Sequence, residues 1–522
     1  MLRRQVGIAA VVFTFLVLGG CGGGKDDNSP ETPPATQPPP PPAPARGDLL
    51  TSPPTKLNSY TSSQLLTALG GNDIGKSLLG LTLNPVCGVD VYQLQYQTVG
   101  AKAESVTASG ALMVPSGTDA TCTGARPLML YAHGTSAVKT FNIADLNGAN
   151  NAEGLAVAAV FAAQGYIVIA PNYAGYDTST LTYHAYLNAD QQSKDMIDAL
   201  TAARKALPLA GTPSTTDSGK LFITGYSQGG YVAMATHRAL QAAGVAVTAS
   251  APLSGPYALS AFGDAIFEGQ VSKDAETNLV LLIPGYQQAY GNLYSSTGDV
   301  FEAKYATGID TLLPNTVKVS DLVGQGKLPA DIVFNSTPPA PEFASYTPAT
   351  TPAEFASLFA SAFGTDNLIT NAYRLTYLRD AQTAPDGGFP TATDGLPPAN
   401  PTQSLRIALK TNDLRAWSPN APTLLCGGGH DPTVFFSNTQ LMQSYWTAHP
   451  GSGAVTVVDV DASGDPYSDL RDGFQAAKDA VRTAAVLGGA SDGGDKAVHD
   501  AYHAGLVPPF CLSAAKRFFD GL

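Results

Sequence analysis

The sequence predicts an α/β fold built on a mostly parallel sheet, from two observations. Between residues 88 and 256, short apolar or alternating segments typical of strands are interspersed with alanine-rich or amphipathic segments typical of helices. The same alternation resumes with the apolar segment APTLLCGGG, a helix around NTQLMQSYWTAH and the strand AVTVVDVDA. A strand–helix–strand repeat places its strands in parallel with helices on both faces. The first two strands, VDVYQLQYQTV and SVTASGALMVP, have no helix between them, so they are expected to be antiparallel at one edge.

A long segment between these two groups of strands has a different character. Between Tyr257 and Trp417 the chain holds helical stretches such as NLVLLIPGYQQAYGNL, broken by Pro- and Gly-rich stretches such as PDGGFPTATDGLPPANP. We interpret residues 257–417 as a lid or cap inserted over the sheet edge. The core would then have a first part at 57–256 and a second part at 418–522.

The charge pattern excludes one class of partner. The chain has 522 residues and a formal net charge of -13, with only 14% charged residues and no basic cluster. Nucleic acid is therefore not an expected partner, because its phosphates attract basic surfaces.

The N-terminus has the pattern of an export signal. Two arginines precede about a dozen apolar residues, followed by small residues up to Cys21, which predicts a signal peptide at 1–20. The ending LGGC resembles a bacterial lipobox, in which the cysteine carries lipid; a plain cleaved signal and an uncleaved anchor are the alternatives. Residues 21–56 are interpreted as the lipidated cysteine and a Pro-rich tether. The expected product is an exported lipoprotein that contacts the outer membrane through its anchor, on the periplasmic or cell-surface side.

Four cysteines remain if Cys21 is lipidated. An even number in an exported chain suggests two disulfides among Cys87, Cys122, Cys426 and Cys511. Three pairings are possible, and joining Cys87 to Cys122 and Cys426 to Cys511 keeps each pair within one region. No cysteines or histidines near them have close ligand spacing, so no metal site is expected.

The chain contains two matches to the pattern G-x-S-x-G, at 225–229 and at 489–493. In a strand–turn–helix context this pattern exposes the serine hydroxyl on a sharp turn. Ser227 follows an apolar strand and precedes an alanine-rich helix, whereas Ser491 follows a helix and leads into a polar loop. We predict that Ser227 is a nucleophile and that Ser491 is not.

A serine nucleophile needs a histidine to take its proton and a carboxylate to orient that histidine. On this type of sheet the chain order is serine, acid, histidine. Asp431, in the loop GGGHDPTV after a strand, is the predicted acid, although an aspartate before a proline and a helix is also a common helix cap. Asp459 and Asp461, at the end of the following strand, are the alternative acids.

The predicted base is His503, just before the terminal amphipathic helix, with His499 as the alternative. The third requirement is a pair of hydrogen-bond donors for the oxyanion. We expect one to be the backbone N–H of Gln228. The other should come from Gly134 or Thr135, after the strand PLMLYAHG.

With these motifs the chain resembles the α/β-hydrolase superfamily, and within it secretory lipases and lid-bearing bacterial carboxylesterases. The resemblance spans residues 57 to 522 and is carried by SVTASGALMVP, LYAHGTS, VIAPNYAGYD, ITGYSQGG, LLCGGGHDPTV and YHAGLVPPFC. It implies an eight-stranded, mostly parallel sheet with a helical lid. It also implies hydrolysis of a small-molecule or lipid ester through an acyl-enzyme, with no metal or organic cofactor. A serine peptidase or acyltransferase on the same fold is the alternative, followed by a binding protein without activity.

Overall fold

A mixed sheet of nine strands runs through the computed structural model, which describes residues 43–81, 84–147, 152–211, 214–464 and 466–522. Residues Pro44–Leu522 form one unit. The predicted signal peptide at 1–20, Cys21 and most of the predicted tether lie outside the described residues. Within the described residues, no helix has the length and apolar character needed to cross a membrane.

The strands, numbered in chain order, are β1 (Thr55–Tyr60), β2 (Gly88–Val99), β3 (Ser105–Ser116), β4 (Gly124–Ala132), β5 (Ile167–Pro171), β6 (Thr215–Tyr226), β7 (Ala249–Leu253), β8 (Phe334–Asn335), β9 (Phe363–Gly364), β10 (Thr423–Gly427) and β11 (Val455–Asp459). The α-helices are α1 (Ser62–Leu69), α2 (Asp73–Gly80), α3 (Ala152–Val160), α4 (Ala189–Ala206), α5 (Gln228–Ala242), α6 (Leu259–Phe267), α7 (Ala275–Tyr290), α8 (Ala303–Ala306), α9 (Val319–Gly324), α10 (Ala356–Ser361), α11 (Asn371–Thr383), α12 (Ser404–Asn412), α13 (Ser437–Ala448), α14 (Ser468–Leu487), α15 (Asp495–Ala501) and α16 (Val507–Asp520).

The order of strands in the sheet is β1-β2-β3-β5-β4-β6-β7-β10-β11. Pairs β1–β2, β2–β3 and β3–β5 are antiparallel, and the strands from β5 to β11 are parallel. This is the α/β-hydrolase fold, with the antiparallel strands at one edge as the sequence predicts. Two apolar layers sandwich the sheet, because successive side chains of a strand point to opposite faces. Leu112 of β3 packs in the layer with α4 and α5, whereas Met113 packs in the layer with α3 and α16.

The sheet has one more strand than the eight expected. The additional strand, β1, has the sequence TKLNSY and is mostly exposed at the sheet edge, so it lacks the apolar alternation that identifies a half-buried strand. It begins at the end of the segment assigned to the tether. Upstream of it, the Gly47 N–H donates to the Gln97 carbonyl and the Leu50 N–H to the Gln95 carbonyl. The chain is therefore attached to the sheet from about Gly47, earlier than the expected boundary at 56.

Two disulfides join the cysteines in the pairing that keeps each pair within one region. Cys87 pairs with Cys122, and Cys426 pairs with Cys511. The second bond links strand β10 to helix α16 and closes a loop of 85 residues. It holds the segment that follows His503 against the strand that precedes Asp431.

A helical layer lies between β7 and β10 in the chain, as the sequence predicts for the lid. It contains α6 to α12 and the two-residue strands β8 and β9. Its elements begin at Leu259 and end at Asn412, and the exact boundaries of 257 and 417 stay predictions. We call this layer the cap.

Buried ion pairs hold the cap helices together. The guanidinium of Arg406 on α12 contacts Asp264 of α6 at 2.6 Å and Asp380 of α11 at 2.7 Å, and all three side chains are almost fully buried. A second cluster at the end of the cap joins Arg415 to Asp386 and Asp413. Such charges are tolerated inside a protein only when each has its partner.

We expect Arg406→Met to lower the free energy of unfolding by about 3–5 kcal/mol, because it leaves two buried carboxylates without their cation. Urea unfolding of the disulfide-intact protein measures this loss. Arg379→Met on helix α11 is the matched control, since the Arg379 side chain is 62% exposed and its ion pair with Glu342 is long at 3.8 Å. Equal unfolding midpoints for the two variants would contradict a stabilising role for the Arg406 cluster.

Candidate active site

Ser227 lies on the sharp turn between strand β6 and helix α5. Its φ of 60° is in the left-handed region, which non-glycine residues rarely adopt. Its N–H donates to the Leu253 carbonyl of β7 at 2.9 Å, which helps to hold this conformation. A Cβ atom at Gly225 or Gly229 would collide with the Ala132 carbonyl oxygen at the end of β4. The two glycines of the motif are therefore required by the close approach of three backbone segments.

His503 contacts both Ser227 and Asp431. It lies in a π-helical turn, Tyr502–Leu506, between α15 and α16. Its Nε2 is 2.8 Å from the Ser227 Oγ, and its Nδ1 is 2.6 Å from the Asp431 Oδ2. Because the carboxylate accepts at Nδ1, the other nitrogen is free to accept the serine proton. The Tyr226 hydroxyl also donates to the His503 carbonyl at 2.6 Å and so holds the turn in place.

Asp431 is buried, with 1% of its surface exposed. Its Oδ1 accepts the N–H groups of Thr433 and Val434, and its Oδ2 accepts from His503. One oxygen therefore caps the turn that follows, and the other faces the histidine. The carboxylate therefore caps a turn and not helix α13, which begins six residues later at Ser437, and its role as the acid stays a prediction.

The alternative residues lie in other contacts. Asp459 accepts the N–H groups of Gly429 and Asp461, whereas the Asp461 carboxylate is bound by a group of side chains: His430, Lys478, Tyr502 and Gln475. His499 on α15 packs near the ring of Phe355. Ser491 is exposed in the loop between α14 and α15. Among the described residues, no side-chain hydrogen bond joins any of these four to Ser227 or His503.

The two candidates for the second oxyanion donor differ in how their backbone N–H groups are used. The Gly134 N–H donates to the Glu153 Oε1 at 2.9 Å, and the Tyr131 hydroxyl donates to the same oxygen at 2.8 Å. In the described part of the chain, the Thr135 N–H has no protein acceptor. Thr135 is therefore the better candidate of the two. Burial raises the pKa of the Glu153 carboxyl, and its two hydrogen bonds oppose that rise.

The side chain of Gln228 is fixed by a buried histidine. His184 Nδ1 lies 3.2 Å from the Ala174 carbonyl, which can only accept, so this nitrogen carries the ring proton. Its Nε2 therefore accepts from the Gln228 amide at 2.8 Å. Burial lowers the pKa of His184 to about 3, which keeps the ring neutral and able to accept. The N–H of Gln228 begins helix α5, next to the Ser227 hydroxyl.

His133 has no contact with the Ser227 hydroxyl. Its ring stacks on Tyr173 with the centroids 4.1 Å apart, and its nitrogens lie beside the carbonyls of Gly134 and Asn172. Burial lowers the pKa of His133 to about 4. The Tyr173 hydroxyl donates to the His133 carbonyl at 2.9 Å. These contacts hold the strand end from which Gly134 and Thr135 project.

A cavity of about 470 Å³ opens onto Ser227 and His503. Its walls are mainly apolar, and the cap contributes Leu259, Phe262 and Ile266 of α6, Leu279 and Leu282 of α7, and Leu405 and Leu409 of α12. Its volume lies in the range of small-molecule sites. The cap and the core thus both supply surface that a molecule at Ser227 would contact.

Sequence reasoning did not identify Glu153, His184 or Tyr186, all of which contact the residues around Ser227. Glu153 begins an alanine-rich helix, where an acidic residue is ordinary. His184 and Tyr186 lie in a segment without regular periodicity. No motif or spacing marks any of the three, because their roles come from contacts made across the fold.

Comparison with known proteins agrees with this fold. A family model described as the prolyl oligopeptidase family matches residues 155–273, which is less than half of the chain. Among curated proteins, none matches the chain significantly. The structure is similar to the crystal structure of LipA, a rice cell wall degrading esterase from Xanthomonas oryzae. The identity is 26% and the TM-score is 0.61, covering 88% of this chain and 98% of that chain.

Two other solved structures extend this similarity. A ligand-bound form of LipA is 27% identical with a TM-score of 0.59, covering 88% of this chain and 98% of that chain. A candidate hydrolase from Legionella pneumophila is 19% identical with a TM-score of 0.59, covering 90% of this chain and 96% of that chain, and this shows a shared fold. The resemblance to the α/β-hydrolase superfamily and to lid-bearing esterases is confirmed.

Proposed function

We propose that this chain, which has the α/β-hydrolase fold, is a serine hydrolase that cleaves carboxylic esters. The observation that carries the proposal is the hydrogen-bonded series from Ser227 to His503 to Asp431, with distances of 2.8 and 2.6 Å. Serine, imidazole and carboxylate in this order form the arrangement that activates a hydroxyl as a nucleophile. The structural similarity to an esterase over most of the chain supports the choice of an ester substrate.

In the first half of the proposed reaction, the Ser227 Oγ attacks the ester carbonyl carbon while His503 Nε2 takes the hydroxyl proton. Asp431 holds the proton on Nδ1 and stabilises the imidazolium that forms. The carbonyl oxygen becomes an oxyanion, for which the N–H groups of Gln228 and Thr135 are the proposed donors. Collapse of this intermediate breaks the bond to the alcohol oxygen, which receives the proton from His503. The acyl group is then bound to Ser227.

In the second half, a water molecule takes the place of the alcohol. His503 Nε2 removes a proton from the water as its oxygen attacks the acyl carbon. The same donors bind the second oxyanion. Its collapse releases the carboxylic acid and returns the proton to the Ser227 Oγ, so the enzyme ends as it began. We propose that no metal or organic cofactor takes part, since every proton transfer is assigned to His503.

The cavity favours esters with an apolar acyl group. The side chains of Leu259, Ile266 and Leu409 present apolar surface in the cavity that also contains Ser227 and His503. Burying a methylene group in such a cavity contributes about 0.8 kcal/mol, so each carbon that fits strengthens binding. Small-molecule or lipid esters are therefore the proposed substrates.

A serine peptidase is the second candidate, because the family model that matches residues 155–273 describes prolyl oligopeptidases. The same nucleophile and base would serve either reaction. The two functions differ in the leaving group, an alcohol in one case and an amine in the other. An acyltransferase would use the same acyl-enzyme with an alcohol in place of water.

We further propose that the protein is an exported lipoprotein whose Cys21 carries lipid and whose Pro-rich segment tethers the catalytic domain to a membrane. The two disulfides support an oxidising compartment outside the cytoplasm. The lipobox-like LGGC sequence supports the anchor.

We expect Ser227→Ala to reduce hydrolysis of a short-chain p-nitrophenyl ester by about 10⁴–10⁶-fold, because the nucleophile is removed. Ser491→Ala is the matched control, since it removes the serine of the other G-x-S-x-G sequence and should leave kcat/KM unchanged. Both variants are assayed against esters and aminoacyl p-nitroanilides. Full ester activity in Ser227→Ala would refute the proposal, and wild-type activity on the anilides alone would favour the peptidase.

We expect Ile266→Trp to reduce kcat/KM for octanoyl esters at least about tenfold more than for acetyl esters, since the larger ring fills part of the apolar cavity and excludes several methylene groups. A series of p-nitrophenyl esters from two to twelve carbons provides the measurement. Ile407→Trp is the control, because Ile407 lies on cap helix α12 with 39% of its surface exposed. An equal loss at every chain length would argue against an acyl site at Ile266.

For the anchor, we expect the mature N-terminus to begin at Cys21 and to carry a diacylglycerol. Intact-mass measurement of the protein purified from membranes tests this, with Cys21→Ser as the comparison. A mature chain that begins elsewhere, or that lacks the lipid mass, would eliminate the lipoprotein proposal while leaving the esterase proposal standing.

A further inference from the structure

Three polar side chains connect the loop after strand β4 to the cap. The Thr135 Oγ lies 3.0 Å from the Tyr186 hydroxyl, and that hydroxyl donates to the Asn278 Oδ1 of helix α7 at 3.2 Å. All three residues line the cavity that contains Ser227. We call Thr135, Tyr186 and Asn278 the oxyanion bridge, because Thr135 is the proposed oxyanion donor.

The directions of these hydrogen bonds follow from the proton count. A tyrosine hydroxyl has one proton, and Tyr186 donates it to Asn278. Tyr186 must therefore accept at Thr135, whose own hydroxyl proton is the donor. The Thr135 side chain is thus committed to Tyr186, while its backbone N–H has no acceptor among the described residues. The bridge fixes Thr135 through its side chain and leaves its N–H available to a substrate.

The segment that contains Tyr186 also contacts the other proposed donor. His184 accepts from the Gln228 side chain at 2.8 Å, two residues before Tyr186. Both residues are buried, with 2% and 4% of their surfaces exposed. A single short stretch of backbone therefore holds Gln228 through one side chain and Thr135 through another.

Cap helix α7 packs directly on this stretch. A Cβ atom at Gly285 would lie 3.0 Å from the His184 carbonyl oxygen, a tight contact that favours glycine where the helix approaches this stretch. The Tyr286 hydroxyl donates to the Leu187 carbonyl at 3.0 Å. Together with Asn278, these contacts attach the helix at three points. Any displacement of α7 would therefore move the groups that hold Thr135.

We propose that Tyr186 and Asn278 are positioning residues that couple the cap to the oxyanion donor at Thr135. This inference rests on the proposed esterase function and assigns a second task to the cap. Besides enclosing the acyl group, helix α7 would set the position of a hydrogen-bond donor that acts in the transition state. Loss of the bridge should therefore affect kcat and leave KM nearly unchanged, because ground-state binding uses the apolar walls.

The test is a double-mutant cycle. Tyr186→Phe and Thr135→Val each remove one side of the first hydrogen bond, and we expect each to lower kcat on a short-chain ester about tenfold with KM within about twofold of wild type. If Tyr186 acts through the Thr135 hydroxyl, the kcat of the double variant is no lower than that of the more impaired single variant. The inference would be overturned if the fold-loss of kcat in the double variant equalled the product of the two single losses. It would also be overturned if Tyr186→Phe had the kcat of the wild type.

Conservative variants and a control exclude a merely structural effect. Thr135→Ser keeps the hydroxyl and should recover most of the kcat that Thr135→Val loses, and this comparison stands even if Tyr186→Phe folds poorly. Tyr231→Phe is the matched control, because the Tyr231 hydroxyl donates to the Asn412 carbonyl and makes a buried core-to-cap bond away from Thr135. We expect its kcat to be unchanged, and an equal loss there would refute the specific role of the bridge.

Measuring Ser227→Ala in parallel distinguishes failure of the proposed esterase function from failure of the oxyanion bridge. Activity that survives in Ser227→Ala rejects the esterase mechanism and the bridge with it. Activity that is lost in Ser227→Ala but unchanged in both Tyr186→Phe and Thr135→Val rejects the bridge alone.

Discussion

The contact on which the site depends is the approach of three backbone segments around Ser227. The carbonyl of Ala132 at the end of β4 lies where side chains at Gly225 and Gly229 would otherwise be, and the Leu253 carbonyl of β7 accepts the Ser227 N–H. This packing holds Ser227 at its positive φ, and in this conformation its hydroxyl contacts the His503 Nε2. Because the strands involved are central ones, the turn is held on both sides by the sheet itself.

The partners of this serine come from the second half of the chain, and separate contacts bring them to it. Asp431 follows β10, which pairs with β7 next to the strand that carries Ser227. His503 lies beyond β11 and is held by the hydroxyl of Tyr226, the residue before the nucleophile. The disulfide between Cys426 and Cys511 joins the segments on either side of these two residues. The histidine is thus held by Tyr226 at the end of β6, the acid follows a strand two places away in the sheet, and a covalent bond joins their two segments.

Much of this arrangement could be predicted from the sequence, for physical reasons. The α/β class with a mostly parallel sheet followed from the alternating periodicities of strands and helices that each bury one face. The hydrolase family came from the resemblance that the sequence motifs carry. Ser227, Asp431 and His503 could be selected because chain order on this sheet and the ends of strands limit the candidates. The structure brings these three into hydrogen-bond contact, and their catalytic roles stay predictions.

Other features left no such signal. Strand β1 was missed because an exposed edge strand needs no apolar alternation. The choice between Gly134 and Thr135 depended on Glu153, whose carboxylate takes one of the two N–H groups, and no spacing rule links residues 134 and 153. Tyr186 and Asn278 are 92 residues apart and meet only because the cap folds back over the core. Polar contacts between non-periodic segments depend on tertiary packing, and they cannot be predicted from the pattern of a single sequence.

The construction of the cap explains how it can influence the site without containing any of the three residues. Its first helix and its last residues are joined at the base, where the Asp413 carboxylate accepts the Ser260 N–H and also binds Arg415. This contact and the buried ion pairs of Arg406 hold the cap helices in place relative to one another. Changes in the apolar residues that face the cavity can then alter which molecule fits while the base and the triad geometry persist. Helix α7 contacts the segment that contains His184 and Tyr186, and this is where the cap meets the groups around Ser227. The cap and the catalytic residues are therefore far apart in the sequence but in contact in the fold.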